Sequence, residues 1–300
     1  MSTIDFFYPL VEDPYLQGRI GCANVLSDIY AMGTDRVDHM LMVLAVSTQM
    51  DAKEREVITR EMIRGFNDTA EEANSKITGG QSILGPWPII GGVANTVVKE
   101  GEYLIPNEAK EGDVILLTKP LGTQVVVNLK EWKSEQNQRY QQSIEYVTDD
   151  EIEQMNNLGI QSMGKLNKNA AGLVQKYEAG ACTDVTGFGI LGHLSNLAEA
   201  QKLKGLNLAI RSLPVIKKTD LINQNIREFN LIAGYSPETS GGLMVLLDEK
   251  HVDNFRNHLA TEYGENSWII GQVLVNDDKE TNVASLIDNP EIIQVDSVFV

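Results

Sequence analysis

Asn24 and Asp28 stand four residues apart in a run that reads as helix, so they share one face. Their neighbours Ala23, Val25, Leu26, Ile29 and Tyr30 are apolar, which predicts burial. A buried carboxylate needs a cation or several donors, and a metal is the simplest partner; a solvated polar pair is the plain alternative. Thr78-Gly79-Gly80-Gln81-Ser82 sets two glycines together. Without Cβ atoms their N–H groups can approach a phosphate or a base, with Gln81 and Ser82 adding side-chain donors. The same five residues also suit a tight, hairpin-like turn.

Gly187, Gly189 and Gly192 of TDVTGFGILG satisfy GxGxxG. No clear apolar strand precedes them and no acid lies near residue 207, so dinucleotide binding is weakly supported. The competing reading makes the glycines a helix start near phosphate and Asp184 a metal ligand. His193 has no second His or Cys at zinc-ligand spacing and reads as a packing residue. Ser236–Gly242 is another glycine-bearing segment and reads as a turn. GxxxxGK(S/T), HExxH and GxSxG are absent, which leaves P-loop, zincin and serine-hydrolase mechanisms no foothold.

The elements that must position these residues are partly legible. Asp13-Pro14 predicts a helix start, with patterning to Ala31-Met32 and Gly33 as its stop. Met40–Val46 predicts a buried strand, and Asp51 caps a helix reaching about Asn74. Ile89–Val98 reads as a glycine-containing strand. The charged, turn-rich stretch before Gly112 places a domain boundary near residue 110, dividing 1–110 from 111–300. Beyond it come a strand at Asp113–Thr118, a helical stretch, a polar surface excursion at Lys130–Asp150 and a long helix at Glu151–Tyr177. A helix at His193–Ala200, a polar connection, and strands at Leu243–Leu247 and Trp268–Val275 complete the pattern. Strands alternating with long helices predict a mixed α/β (α+β) fold.

Composition narrows the class. The 300 residues carry a net charge of −17, with 25 Lys+Arg against 42 Asp+Glu, and both halves share the excess. No basic face is available to neutralise nucleic-acid phosphates, so a nucleic-acid partner is not expected. Carboxylates that collect divalent cations can still hold an anionic nucleotide. Two cysteines, Cys22 and Cys182, make no disulfide framework and fit a reducing compartment. The apolar window Ile83–Val98 is too short and too broken by Pro and Gly for a membrane span. A soluble, cytoplasmic protein with no membrane partner is the expectation.

In order, TIDFFYP, DPYLQGRIGCANVLSDIYAMG, TGGQS, LTKPLGT, TDVTGFGILGHL and PETSGGL closely resemble the selenophosphate synthetases (selenide, water dikinases). The likeness runs from Thr3 to at least Val275, with Ile4 where the family often has threonine. It implies a two-domain aminoimidazole-ribonucleotide synthetase-like fold, dimerised through the sheet of the first domain, with ATP in a dimer-associated cleft. It implies the conversion of selenide, ATP and water to selenophosphate, AMP and orthophosphate with Mg²⁺. Carried over, Asp5 and Asp28 match ATP-site aspartates, Asp28 being also a metal ligand. Gly79, Gly80, Gln81 and Ser82 match the nucleotide-contacting loop, and Asp184 a second metal-binding aspartate. Family members also carry a glycine-rich segment with a reactive Cys or selenocysteine, a lysine and a further aspartate, which has no match in these residues. No catalytic nucleophile is therefore assigned here. The chain as given is expected to be inactive, with a non-catalytic, nucleotide-binding dimeric relative as the alternative.

Overall fold

A computed structural model describes all of residues 1–300. The first 95 residues form β1 (Ser2–Phe7), α1 (Pro14–Ala31), β2 (His39–Ser47), α2 (Ala52–Glu72), β3 (Ile77–Gly85) and β4 (Ile89–Asn95). The Asp13 carboxylate accepts from the amides of Tyr15 and Leu16 and starts α1, with Pro14 in the first turn. Asp51 and Glu54 form a reciprocal capping box at the head of α2. The two helices cross at near backbone contact. A Cβ on Gly65 would meet the Tyr15 carbonyl at 1.9 Å, and one on Gly18 the Met62 carbonyl at 2.1 Å.

The four strands pair in the order β1-β4-β2-β3, with only β2 and β3 parallel. One expectation changes here. Thr78–Ser82 is neither loop nor turn but the heart of edge strand β3. Gly80 has φ +144°, and its Cβ would stand 1.9 Å from the Met42 carbonyl, so close approach of β2 alone requires glycine there. The strand expected at Ile89–Val98 forms as β4 and lies inside the sheet, between β1 and β2.

The remaining residues supply β5 (Val114–Leu117), α3 (Thr123–Glu135), α4 (Gln138–Ser143), α5 (Asp149–Gly164), α6 (Lys168–Lys176), β6 (Ala181–Asp184), α7 (Gly189–Ala200), β7 (Leu206–Ile216), α8 (Thr219–Asn225), β8 (Leu243–Leu247), α9 (Glu249–Tyr263), β9 (Trp268–Val275) and β10 (Val283–Val295). Their six strands run β10-β7-β9-β5-β8-β6. Lys130–Asp150 is not a surface excursion. It ends α3, forms α4 and buries Trp132, Tyr140 and Val147, with Trp132 stacked on Phe229 at 5.9 Å. The helix expected over Glu151–Tyr177 breaks at Lys165–Asn167 into α5 and α6. The polar connection after Ala200 contains β7 and α8, and β10 follows the strand expected to be last.

The result is a two-sheet α/β architecture in which α1 lies between the sheets. One apolar core joins Val25, Leu26 and Ile29 of α1 to Phe66 of α2 and to Leu116, Val245 and Phe255 of the second half. A second core lies within the second half, around Ile115, Leu129 and Met244. Helix α1 is apolar on nearly every side because it packs against both units, which is what an all-round apolar helix requires. No helix is long and apolar enough to cross a membrane.

Candidate functional site

Asp28 and Asp184 line one cavity of about 540 Å³, with Thr3, Thr183, His193 and Asn196. The α1 turn brings Asp28 there, and the end of β6 brings Asp184, which is only 5% exposed. Asp28 itself is exposed, contrary to the burial expected from its neighbours. Asn24 takes the buried place on that face instead. Asp28 is the one exposed residue of α1, and it sits where the cavity opens.

Each acid is held by a neutral donor. The Thr3 hydroxyl donates to Asp28 at 2.5 Å, Asn24 Nδ2 to Asp5 at 3.1 Å, and the Ser27 hydroxyl to Asp184 at 2.6 Å. These donors are tied to the second half of the chain. The Ser240 amide donates to Asn24 Oδ1 at 2.8 Å, and Asn167 Nδ2 donates to Ser27 Oγ at 3.2 Å and to the Gly241 carbonyl at 2.8 Å. Asp5 and Asp184 are thus set by a buried hydrogen-bonded seam between α1 and the segments at 165–167 and 236–242. The sequence-predicted acids come together; Gly79–Ser82 does not. It lies on β3, at the edge of the sheet opposite β1 and Asp5, and is exposed.

The three acids act on one another electrostatically. Burial, then Asp28 and Asp184, push the Asp5 carboxyl up to about 6, against the pull of Asn24. Burial, then Asp28, push Asp184 up to about 6, with the Ser27 hydrogen bond opposing. No lysine or arginine lines the cavity, and the one lysine that eases Asp184 is the buried Lys119, outside its wall. The donor set is all oxygen, which suits Mg²⁺. No three His, Cys, Asp or Glu side chains stand close enough to close around one ion. That still fits Mg²⁺, which takes one or two carboxylates and completes its shell with water and substrate phosphate.

The sequence did not single out several residues around this centre. Lys119, fully buried, donates to the carbonyls of Lys165 at 2.6 Å and Ser240 at 2.7 Å. Lys165 pairs with Glu265 at 2.8 Å, both nearly inaccessible. Glu238 accepts from the Gly122 amide at 2.7 Å and the Thr123 amide at 2.9 Å, anchoring the 236–242 segment to the head of α3. Burial outweighs those donors and pushes the Glu238 carboxyl up to about 7. His193 was read as packing, and burial does hold it below the ordinary imidazole value. It nevertheless lines the cavity. The dinucleotide reading of Gly187–Gly192 fails on topology: β6 pairs only with β8, antiparallel, at the sheet edge, so no parallel βαβ unit exists there.

Comparison with known proteins agrees with this architecture. Residues 1–98 match the AIR synthase related protein N-terminal domain and residues 110–283 its C-terminal domain. Selenide, water dikinase of Dictyostelium discoideum is 45% identical over 300 residues, which cover 99% of this chain and 82% of that protein. Selenide, water dikinase 2 of Mus musculus is 46% identical over 298 residues, covering 98% of this chain and 65% of the mouse protein. The chain therefore spans just under two thirds of the mouse relative. Among solved structures, thiamine-monophosphate kinase from Stenotrophomonas maltophilia superposes with a TM-score of 0.71 at 18% identity, covering 97% of this chain and 85% of that one. The hydrogenase maturation protein HypE in complex with ATP gives 0.63 at 15% identity, covering 92% and 77%. At such identities these two structures speak for the fold. The order of motifs, the two domain matches and the identity across almost every residue make this chain a member of the selenide, water dikinase family.

Proposed function

We propose that the Asp28–Asp184 cavity takes the polyphosphate of ATP together with Mg²⁺, and that the whole protein converts selenide, ATP and water to selenophosphate, AMP and orthophosphate. The observation that carries this reading is the cluster of Asp5, Asp28 and Asp184, held on neutral donors beside a cavity that no lysine or arginine lines. Asp28 and Asp184 would hold the metal, with Asp5 close enough to raise the negative field. Bound there, Mg²⁺ would neutralise polyphosphate charge as phosphoryl transfer proceeds. Asn24, Ser27 and Thr3 keep the carboxylate oxygens oriented, so little reorganisation accompanies binding. Two free, buried thiols suit a reducing, cytoplasmic setting.

Asp28→Asn keeps the shape and the acceptor for Thr3 but removes one charge. Mg²⁺-dependent ATP binding should weaken by about 1–3 kcal/mol while folding changes little. Calorimetric titration giving the same ATP·Mg affinity as the parent would overturn the metal assignment.

In this reading Gly79, Gly80, Gln81 and Ser82 reach the nucleotide from a second copy of the chain, because within one chain they lie across the sheet from Asp5. Residues 1–110 then form the dimerisation and nucleotide unit, and 111–300 the second domain. The open sheet supports this: Ile4 and Phe6 on β1 and Ile83 and Leu84 on β3 are each more than half exposed on the two edge strands. Pairing in a closed dimer protects such edges. Sedimentation should show a dimer at micromolar concentration; a monomer alone would remove the claim.

A further inference from the structure

We propose that His193 is a phosphate-binding residue of the cavity, a neutral imidazole whose Nδ1–H donates to an oxygen of the bound polyphosphate. The proposal rests on the reading of this cavity as the Mg²⁺-nucleotide site and adds a specific anion contact to it. The Thr186 backbone N–H donates to His193 Nε2 at 3.0 Å. An amide N–H has only a proton to give, so Nε2 must present its lone pair. A neutral imidazole carries one N–H, which is therefore at Nδ1. The Thr186 hydroxyl lies 3.2 Å from the same Nε2, and the Phe188 ring packs on the imidazole with centroids 5.3 Å apart. Both contacts fix the ring from the helix-start side.

The other side of the ring is open. No protein acceptor meets Nδ1, and that nitrogen is not among the polar atoms sealed from solvent without a partner. His193 is 9% exposed, and what remains open lines the cavity with Asp28 and Asp184. The carboxylates there can face only cations or donors. Phosphate oxygens need donors, and the imidazole offers one. The Thr186 amide also disfavours an imidazolium, since a second ring proton at Nε2 would point at an N–H. The histidine thus stays neutral and does not occupy the acids as a cation would.

Two substitutions separate this role from simple anchoring of the 186–188 loop. His193→Gln places an amide oxygen near the Nε2 position, keeping an acceptor for Thr186 while losing the Nδ1 donor. His193→Asn places an amide N–H₂ near the Nδ1 position and gives up the Thr186 contact. Titration with Mg·pyrophosphate and with Mg²⁺ and a non-hydrolysable ATP analogue should show about tenfold weaker binding for His193→Gln. His193→Asn should bind within about threefold of the parent, since one donor to an ionised oxygen is the quantity restored. Imidazole ¹⁵N spectra should show the Nδ1–H tautomer for the resonance that His193→Gln removes, shifting when Mg·pyrophosphate is added. Parent-like binding by His193→Gln, weaker binding by His193→Asn than by His193→Gln, or an Nε2–H tautomer would each overturn the proposal and leave the nucleotide site standing. A parent that binds neither probe would instead bring down the reading of the cavity, and this proposal with it.

Discussion

Glu265→Gln should destabilise the fold by about 3–5 kcal/mol, the loss expected when one partner of a buried ion pair is removed. Glu265 accepts from Lys165 Nζ at 2.8 Å and from Asn169 Nδ2 at 2.7 Å, with the Lys165 and Glu265 side chains 7% and 5% exposed. Lys119, fully buried, lies behind them with two carbonyl partners for Nζ. Burial, then the Lys165 charge, hold Lys119 well below the ordinary lysine value. Its Nζ is satisfied by those two carbonyls, so Glu265 serves Lys165 as the one carboxylate partner of that pair. Glutamine keeps the shape and one acceptor but removes the carboxylate that offsets the burial of Lys165. Denaturant unfolding with a loss below about 1 kcal/mol would show that water already screens the pair. The linkage has a definite sign. Lys119 regains its ordinary affinity for a proton on unfolding, so the unfolded chain binds more protons. This residue favours the fold increasingly as pH rises toward 10.5, from within the window opened by its lowered value.

That arrangement is also where sequence reading ran out. In LTKPLGT, Lys119 looks like any lysine beside a turn. It is buried because Gly242 lets the 236–242 segment close on it: a Cβ on Gly242 would stand 2.4 Å from the Lys119 backbone nitrogen. Nothing in the local pattern announces a contact between residues so far apart in the chain. The caps at Asp13 and Asp51 were legible because capping is chemistry between neighbours. The apolar runs that became β2, β4, β5, β8 and β9 were legible because each is short and buried on at least one face. Strand β6 is only Ala-Cys-Thr-Asp, too short and polar to read, and it exists because β8 supplies its ladder. Strand β10 exposes much of its length and is defined by parallel pairing with β7.

The candidate site divides along the same line. That acids gather near Asp28 and Asp184 was readable from residue type and motif. Which of them would be buried was not, because helical periodicity cannot show where a cover of neighbouring elements leaves a gap. Gly79 and Gly80 illustrate the opposite error. Paired glycines suggested a turn, but Gly80 is glycine because the Met42 carbonyl leaves no room for a Cβ. Steric need inside a sheet and approach to a ligand leave the same letter in a sequence.

A polypeptide of residues 1–300 alone should bind Mg²⁺ and adenine nucleotide yet form no selenophosphate. Binding should persist because Asp5, Asp28, Asp184 and their donors are all in place. It should be weak, since no lysine or arginine lines the cavity to meet the phosphates. Lack of a cationic contact to the phosphates costs on the order of 2–5 kcal/mol of stabilisation. The chemistry should fail for a separate reason. Cys22 is fully buried within α1, and burial raises its thiol well above the ordinary value, which disfavours the thiolate. Cys182 is the nearer candidate, because it belongs to the cavity wall, but it is only 2% exposed and burial, then Asp184, raise it too. A thiol beside a carboxylate is the reverse of the electropositive setting that activates a nucleophilic cysteine. Incubation with ATP, Mg²⁺ and selenide, followed by ³¹P spectroscopy, should show no selenophosphate. A longer polypeptide that supplies a reactive thiol or selenol and a lysine to the same cavity should restore it. Turnover by residues 1–300 at a rate comparable to such a longer form would refute the prediction. Loss of that turnover in Cys182→Ser would then identify the wall cysteine as the nucleophile.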